Sequence, residues 1–485
     1  MNEKLNYSFI IRHLIIKFFA IECIIKTSTM KYCLLGVFFV TMVSCKPAPN
    51  PKIDFLNWAR KGTIINNVVC KNDQSLSYCL YLPDNYNIKR TWPIIFCFDP
   101  KGDGMLPVSL FKESAQKYGY IVAASNNCKN GLQIQEIEHI TDILFSDANE
   151  KISINPNRIY LAGFSGGARV ACSIAFNNSA IMGVIACSAG FDRSANQSNF
   201  DFIGIAGNED MNYLEMKQLE QSMSIWNGKH QLIIFNGKHQ WPPKETLTQA
   251  LLSLELFAIK DKMIDTNKVT INDFLLEETA RINQFEISNN IDSVAQALCL
   301  IDNTIYTLTG LIDTSVLMTR RYTLMQNTNL GKYLQKENIV ESAEAQKQME
   351  YSKAFSIESI NWWKYELNNL KKKEATAKFY VEQLSAKRLL AYISLMSYSY
   401  VNATISQENW KAAAQYLQIY GIVDPDNPDY YYFLTCYLAN TGNSQEAIMT
   451  LRKSLKLGFN DHFKLVNDPL LDKLRALPDF GDLIK

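Results

Sequence analysis

The hydrophobic pattern of the chain changes its period once, near Trp241, and that change limits what the chain can fold into. From about Asn67 to Trp241, short apolar runs alternate with helical stretches. The runs Ser77–Leu82, Pro93–Phe98, Tyr120–Ser125, Arg158–Gly163, Ile181–Ser188, Phe202–Ala206 and Gln231–Phe235 are rich in Ile, Val, Phe and Tyr. Gly, Pro, Asn or Asp bound them, so they read as strands. Between them lie amphipathic stretches such as Ile134–Asn149, where Ile137, Ile140, Leu144 and Phe145 recur at helical spacing. Strands alternating with helices predict an α/β domain: a mostly parallel sheet with helices on both faces. Ligands of such sheets bind at the carboxyl ends of the strands. After Trp241 the strand signals stop. Lys244–Lys262 reads as a helix, and helical patterns dominate from Thr270 onward. The expected division is an α/β domain over 67–263 and an all-helical domain over 264–485.

Composition narrows the function classes. Hydrophobic residues make up 47% and charged residues 20% of the 485, which excludes wholesale disorder. Lys plus Arg at 49 against Asp plus Glu at 48 leaves a formal charge of +1, so no overall field draws the chain to nucleic acid. The 11 cysteines form no C-x-x-C and no Cys/His cluster, so no metal is expected. Cys70 and Cys79 flank what reads as a hairpin, and in an oxidising compartment they are candidates to pair. Cys97, Cys128, Cys172, Cys187, Cys299 and Cys436 lie singly in apolar runs and read as buried small hydrophobes.

The N-terminus reads as an address. Phe9–Ile25 is interrupted by Arg12, His13, Lys17 and Glu22, whereas Tyr32–Ser44 carries no charge, follows Lys31 and ends at Cys45. A basic start, a short apolar core and small residues before a cut describe a secretory signal. The segment resembles a bacterial lipoprotein signal, whose lipobox ends in a cysteine that is diacylated. Here the box is Met42-Val43-Ser44-Cys45, with Met where Leu is usual. A plain N-terminal anchor helix is the alternative. Met30-Lys31 would make a conventional start, so the true start is Met1 or Met30. The resemblance implies an exported chain at the cell envelope, with 1–44 as signal, lipidation at Cys45 and a Pro-rich tether within 45–66.

The chemistry points to Gly163-Phe164-Ser165-Gly166-Gly167, a G-x-S-x-G between the apolar RIYLA and the helical ARVACSIAF. On a strand-turn-helix this pattern is a nucleophile elbow, with Ser165 at the carboxyl edge of the sheet. The Gly166 N–H, an orphan donor of the helix start, is expected to face a developing oxyanion. A serine hydroxyl needs a base. Of the five histidines, His13 lies in the signal, His139 mid-helix, His462 in the helical half, and His230 before the last strand. His239, in NGKHQWPP after that strand, is the expected base. The acid follows the preceding strand in GNEDMNY: Asp210, with Glu209 in reserve.

On these three stretches, residues 67–262 resemble an α/β-hydrolase of the polyhydroxybutyrate-depolymerase and feruloyl-esterase kind. The resemblance implies ester hydrolysis through an acyl-enzyme, with Ser165, Asp210 and His239 as triad and no cofactor or metal. One departure stands out. Such esterases usually carry His-Gly after the third strand, and here the place reads Phe98-Asp99-Pro100-Lys101-Gly102. Pro100 has no N–H, so the second oxyanion donor would have to be Lys101 or Gly102, and the Lys101 N–H is the expected one. Phe164, Trp226 and Trp241 are equally readable as acyl-pocket lining or as core.

Near the C-terminus, Ala413-x3-Leu417 recurs 34 residues later as Ala447-x3-Leu451, with Pro425 and Gly442 at the turns. The period resembles the tetratricopeptide repeat, clearest over 409–459. It implies a surface for a protein partner. The resulting expectation is an exported, lipid-anchored serine hydrolase acting on a small-molecule or polymer ester. Its rivals are a peptidase of prolyl-oligopeptidase type and an inactive hydrolase fold serving as a scaffold. If the repeats only recruit a partner, the hydrolase half should keep a reactive Ser165 without them.

Overall fold

The apolar runs form the strands β2 (Ser77–Tyr81), β3 (Trp92–Phe98), β4 (Ile121–Ser125), β5 (Ile154–Phe164), β6 (Ile181–Cys187), β7 (Asp201–Gly207) and β8 (His230–Phe235). A further strand, β1 (Ile64–Val69), precedes them; Asn66 and Asn67 interrupt its apolar signal and stand exposed at the sheet edge. These come from a computed structural model that describes residues 51–191, 200–226, 228–288 and 290–483. Cys45 and the signal-like segment lie outside the described residues. Within them, no helix is long and apolar enough to cross a membrane.

The strands make one sheet in the order β1-β2-β4-β3-β5-β6-β7-β8. The β1–β2 and β2–β4 pairs are antiparallel, and all others are parallel. All seven residues of β3 are buried, because a central parallel strand is covered on both faces. One face packs against the helices Ile134–Lys151, Gly166–Asn177 and Tyr213–Ser222, through Ile140, Leu144, Ala171, Cys172, Met216 and Leu219. The other packs against Met105–Tyr118 and Lys244–Lys260, through Val108, Phe111, Leu247, Leu251 and Leu254. This is the α/β-hydrolase architecture.

Two expectations about cysteines are corrected. Cys70 and Cys79 are free thiols. Cys70 packs with the first face and Cys79 with the second, so the alternation of side chains across the sheet keeps their sulfurs apart. Cys299 is exposed rather than buried.

From Lys268 to Leu483 the chain is helical. The helix Lys244–Lys260 joins the two parts. Leu247, Leu251 and Leu254 face the sheet, while Leu252, Leu256 and Ile259 pack with Ile271, Phe274 and Leu308. A helix apolar all round is one buried on all sides, and each fully buried Leu or Ile contributes about 1.5–3 kcal/mol. The helices also cover the β8 edge: Asn303 Nδ2 donates to the Leu232 carbonyl at 2.9 Å, and the Tyr306 hydroxyl accepts from the His230 N–H at 3.1 Å. Covering an edge strand removes a template for aggregation. Farther on, Ala413, Leu417, Ala447 and Leu451 are buried, and Gly442 turns the chain with φ +92°.

Candidate active site

Strand β5 runs into the helix Gly166–Asn177 through Ser165, whose φ of 52° and ψ of −120° lie outside the regions open to ordinary residues. Such a backbone costs of order 1–3 kcal/mol and persists only where its surroundings impose it. Here the Ser165 N–H donates to the Cys187 carbonyl at 2.8 Å. The turn also leaves no room for side chains. A Cβ on Gly163 would stand 2.2 Å from the Gly167 carbonyl oxygen, and one on Gly167 would stand 2.0 Å from that of Phe98.

The loops after β7 and β8 bring the other two groups to the same edge. His239 Nε2 lies 2.9 Å from Ser165 Oγ, and its Nδ1 lies 2.9 Å from Asp210 Oδ1. Asp210 is fully buried. Its Oδ1 also accepts the Asn212 N–H at 2.8 Å, while Oδ2 is buried without a hydrogen-bond partner. Glu209, the reserve acid, turns away and pairs with Lys387 at 2.5 Å. The remaining described histidines lie elsewhere: His139 bonds Asp73, His230 bonds Glu220, and His462 begins a short helix near the C-terminus. With Nδ1 on a carboxylate, Nε2 is free to accept a proton from the serine.

The oxyanion expectation divides. Gly166 is the first residue of its helix, so its N–H has no intrahelical acceptor. Lys101 does not fit the role: its N–H donates to Asp99 Oδ1 at 2.8 Å, and the Gly102 N–H donates to the Asp99 carbonyl at 3.1 Å. The cause is an Asx turn, in which an aspartate side chain takes the N–H two residues on. The Asp99-Pro100-Lys101-Gly102 stretch carried that signal. Asp99 Oδ2 accepts Trp241 Nε1 at 2.8 Å, so this buried carboxylate ties the loop after β3 to the histidine loop.

Three further side chains frame the site. The Phe164 ring lies 4.8 Å from the His239 ring and 5.8 Å from that of Trp241, so the two aromatics stand on the His239 side of the site. Trp226 instead stacks on Phe191 and meets Phe176 in the core. Asn130, which sequence reading passed over, donates its N–H to the Pro100 carbonyl at 2.9 Å. Its side-chain amide lies against Gly166, with Oδ1 only 1.9 Å from where a Cβ would be. Burial and the nearby Glu341 push the Tyr213 phenol well above its ordinary value. Tyr213 therefore stays protonated and donates to Glu341 at 3.3 Å.

No protein-family model matches the chain, and no curated protein matches its sequence. Among solved structures, the chain is similar to a fluorophosphonate-binding serine hydrolase of Staphylococcus aureus, FphF, at 11% identity and TM-score 0.34, over 40% of this chain and 98% of that one. It is similar to Est1E from Butyrivibrio proteoclasticus at 12% identity and TM-score 0.33, over 40% and 100% of the two chains. A feruloyl esterase module from Clostridium thermocellum aligns at 17% identity and TM-score 0.32, over 42% and 92%.

Proposed function

We propose that the chain is a serine hydrolase that cleaves a carboxylic ester through an acyl-enzyme. The observation that carries this reading is the relay in which His239 lies 2.9 Å from both Ser165 Oγ and Asp210 Oδ1. In the proposed mechanism, Ser165 attacks the acyl carbon as His239 Nε2 takes its proton. The imidazolium then protonates the leaving alcohol, and water repeats the cycle on the acyl-enzyme. Asp210 holds the tautomer and stabilises the imidazolium. The tetrahedral oxyanion draws on the Gly166 N–H, and the Asn130 amide beside it is the better-placed candidate for a second donor now that Lys101 is engaged. Phe164 and Trp241 are proposed to contact the acyl or alcohol group. A small-molecule or polymer ester fits this chemistry equally.

The signal-like segment ending at Cys45 supports export and lipid anchoring at the cell envelope, and the Ala-x3-Leu recurrence supports a tetratricopeptide-like surface for a protein partner.

A fluorophosphonate probe tests the enzyme reading, because it reacts with a serine activated by a base and an oxyanion hole. Labelling is expected at Ser165, absent in Ser165→Ala and strongly reduced in His239→Ala. Turnover of p-nitrophenyl esters should exceed that of aminoacyl p-nitroanilides, and the reverse would favour a peptidase. A folded protein that resists the probe would leave the scaffold reading in its place.

A further inference from the structure

Asp210 is lightly held by its own hydrogen bonds. One carboxylate oxygen serves His239 and the Asn212 N–H, and the other is buried without a donor. A buried acceptor left unpaired does not fix its own place, so the position of the carboxylate follows that of its loop. On the sheet side, the Asn208 N–H bonds the Phe235 carbonyl and the Glu209 N–H bonds the Gly237 carbonyl, each at 2.9 Å. Asn212 Nδ2 also donates to the Ser188 carbonyl at 2.7 Å. On the opposite side, three restraints come from the helical half. Arg388 Nη1 donates to the Asn208 carbonyl at 2.8 Å. Lys387 Nζ donates to Glu209 Oε1 at 2.5 Å. Gln348 Nε2 donates to the Met211 carbonyl at 3.4 Å. The residues just before and just after Asp210 are therefore held by the helices Thr328–Ile357 and Tyr380–Ser406.

Arg388 is the centre of this set. Its side chain is 2% exposed and that of its partner Glu344 is 0%. Nε and Nη2 grip the two Glu344 oxygens at 2.8 and 2.7 Å. The guanidinium also lies 4.4 Å from the ring of Tyr213, the first residue of the helix that follows the acid loop. An ion pair that only joined two helices would end at Glu344. Here the remaining nitrogen of the fork reaches across to a backbone carbonyl two residues from Asp210. A planar fork can serve a carboxylate and a carbonyl at once, which the single ammonium of lysine cannot do with the same geometry.

We infer that Arg388 is a positioning residue for Asp210, so that the helical half completes the catalytic relay instead of only recruiting a partner. This rests on the hydrolase reading above. Displacement of a catalytic group by about 1 Å costs of order 10²-fold in rate, and Arg388 Nη1 is the donor on the Asn208 carbonyl, two residues from Asp210.

The test uses the full-length chain, p-nitrophenyl butyrate and a fluorophosphonate probe. Arg388→Met alone strands a buried Glu344 charge, so the principal variant is Arg388→Met with Glu344→Met, which removes both charges at similar volume. The double variant should melt as a folded protein. Its kcat should fall about 30-fold while KM stays within about twofold, the mark of an interaction felt in the transition state. Labelling of Ser165 should slow in parallel. In an Asp210→Asn background the same pair of changes should cost little more, since there is no longer a carboxylate to position. Lys387→Met, from a partly exposed site, should lower kcat by a few-fold in the same direction. An unchanged kcat in the folded double variant overturns the inference, as does an equal loss in the Asp210→Asn background. If the double variant does not fold, Arg388→Lys takes its place, since it keeps a charge against Glu344 and gives up the fork that reaches Asn208, and an unchanged kcat in it overturns the inference. A parent that neither labels nor hydrolyses esters overturns the hydrolase reading instead, whereas a reactive parent with equally reactive variants removes only the role of Arg388.

Discussion

The Ser165 turn and the Asp210 loop meet at one edge of the sheet but are held by different means. Ser165 is secured by what lies close in the α/β half: its N–H on Cys187 of the next strand, and glycines that let the helix start press against β5 and the Phe98 carbonyl. Asp210 sits in a loop whose outer restraints come from Gln348, Lys387 and Arg388, which are 137 to 180 residues away in the chain. The first is a local steric device and should fail by failing to form. The second is a long-range clamp and should fail by losing rate in a protein that still folds. A hydrolase domain with an independent helical appendage would show no such difference.

The largest expected effect is on the acid itself. Asp210→Asn should fold normally and lose about 10⁴-fold in kcat, because the histidine is then held in the wrong tautomer. Steady-state kinetics beside a thermal melt checks this, and a loss below tenfold would make Glu209 or another group the acid. Next comes the elbow. Gly167→Ala places a methyl 2.0 Å from the Phe98 carbonyl oxygen, and such overpacking should destabilise the fold by about 1–3 kcal/mol or more. Denaturant unfolding reads it; a variant as stable as the parent yet inactive would erase the contrast between the two loops. The smallest effect is expected at Glu209→Gln, which loosens the Lys387 tether and leaves Arg388 in place. A partly exposed pair contributes about 0–1 kcal/mol, so kcat should change no more than a few-fold. A large loss there would shift the clamp from Arg388 to Lys387.

Much of the α/β half was legible because its determinants are short-range. Burial on both faces forces a continuous apolar run such as Trp92–Phe98, and a strand-to-helix turn around an exposed serine forces glycine at 163 and 167. His239 could be chosen over His230 because it follows the last strand and His230 begins it. Asp210 could be preferred to Glu209 because a shorter side chain at the end of the loop suits a buried orienting role. The fold turns Glu209 outward to Lys387. The exclusion of Lys101 as an oxyanion donor was within reach, since Asp99 followed by Pro100 announces a turn that uses its N–H.

The sequence by itself determined the α/β order, the serine of the strand-to-helix turn and the chain order of Ser165, Asp210 and His239, because strand periodicity and turn sterics are written within a few residues of each other. The joint between the halves was decided by the tertiary structure. Lys244–Lys260 reads as one more helix, and Arg388 as one more charge on a long helix. Nothing near either residue in the chain records that Leu252 packs on Phe274 or that Arg388 reaches Asn208. Such contacts depend on where two distant surfaces dock, and docking is set by the summed shape and burial of many side chains instead of by any local pattern.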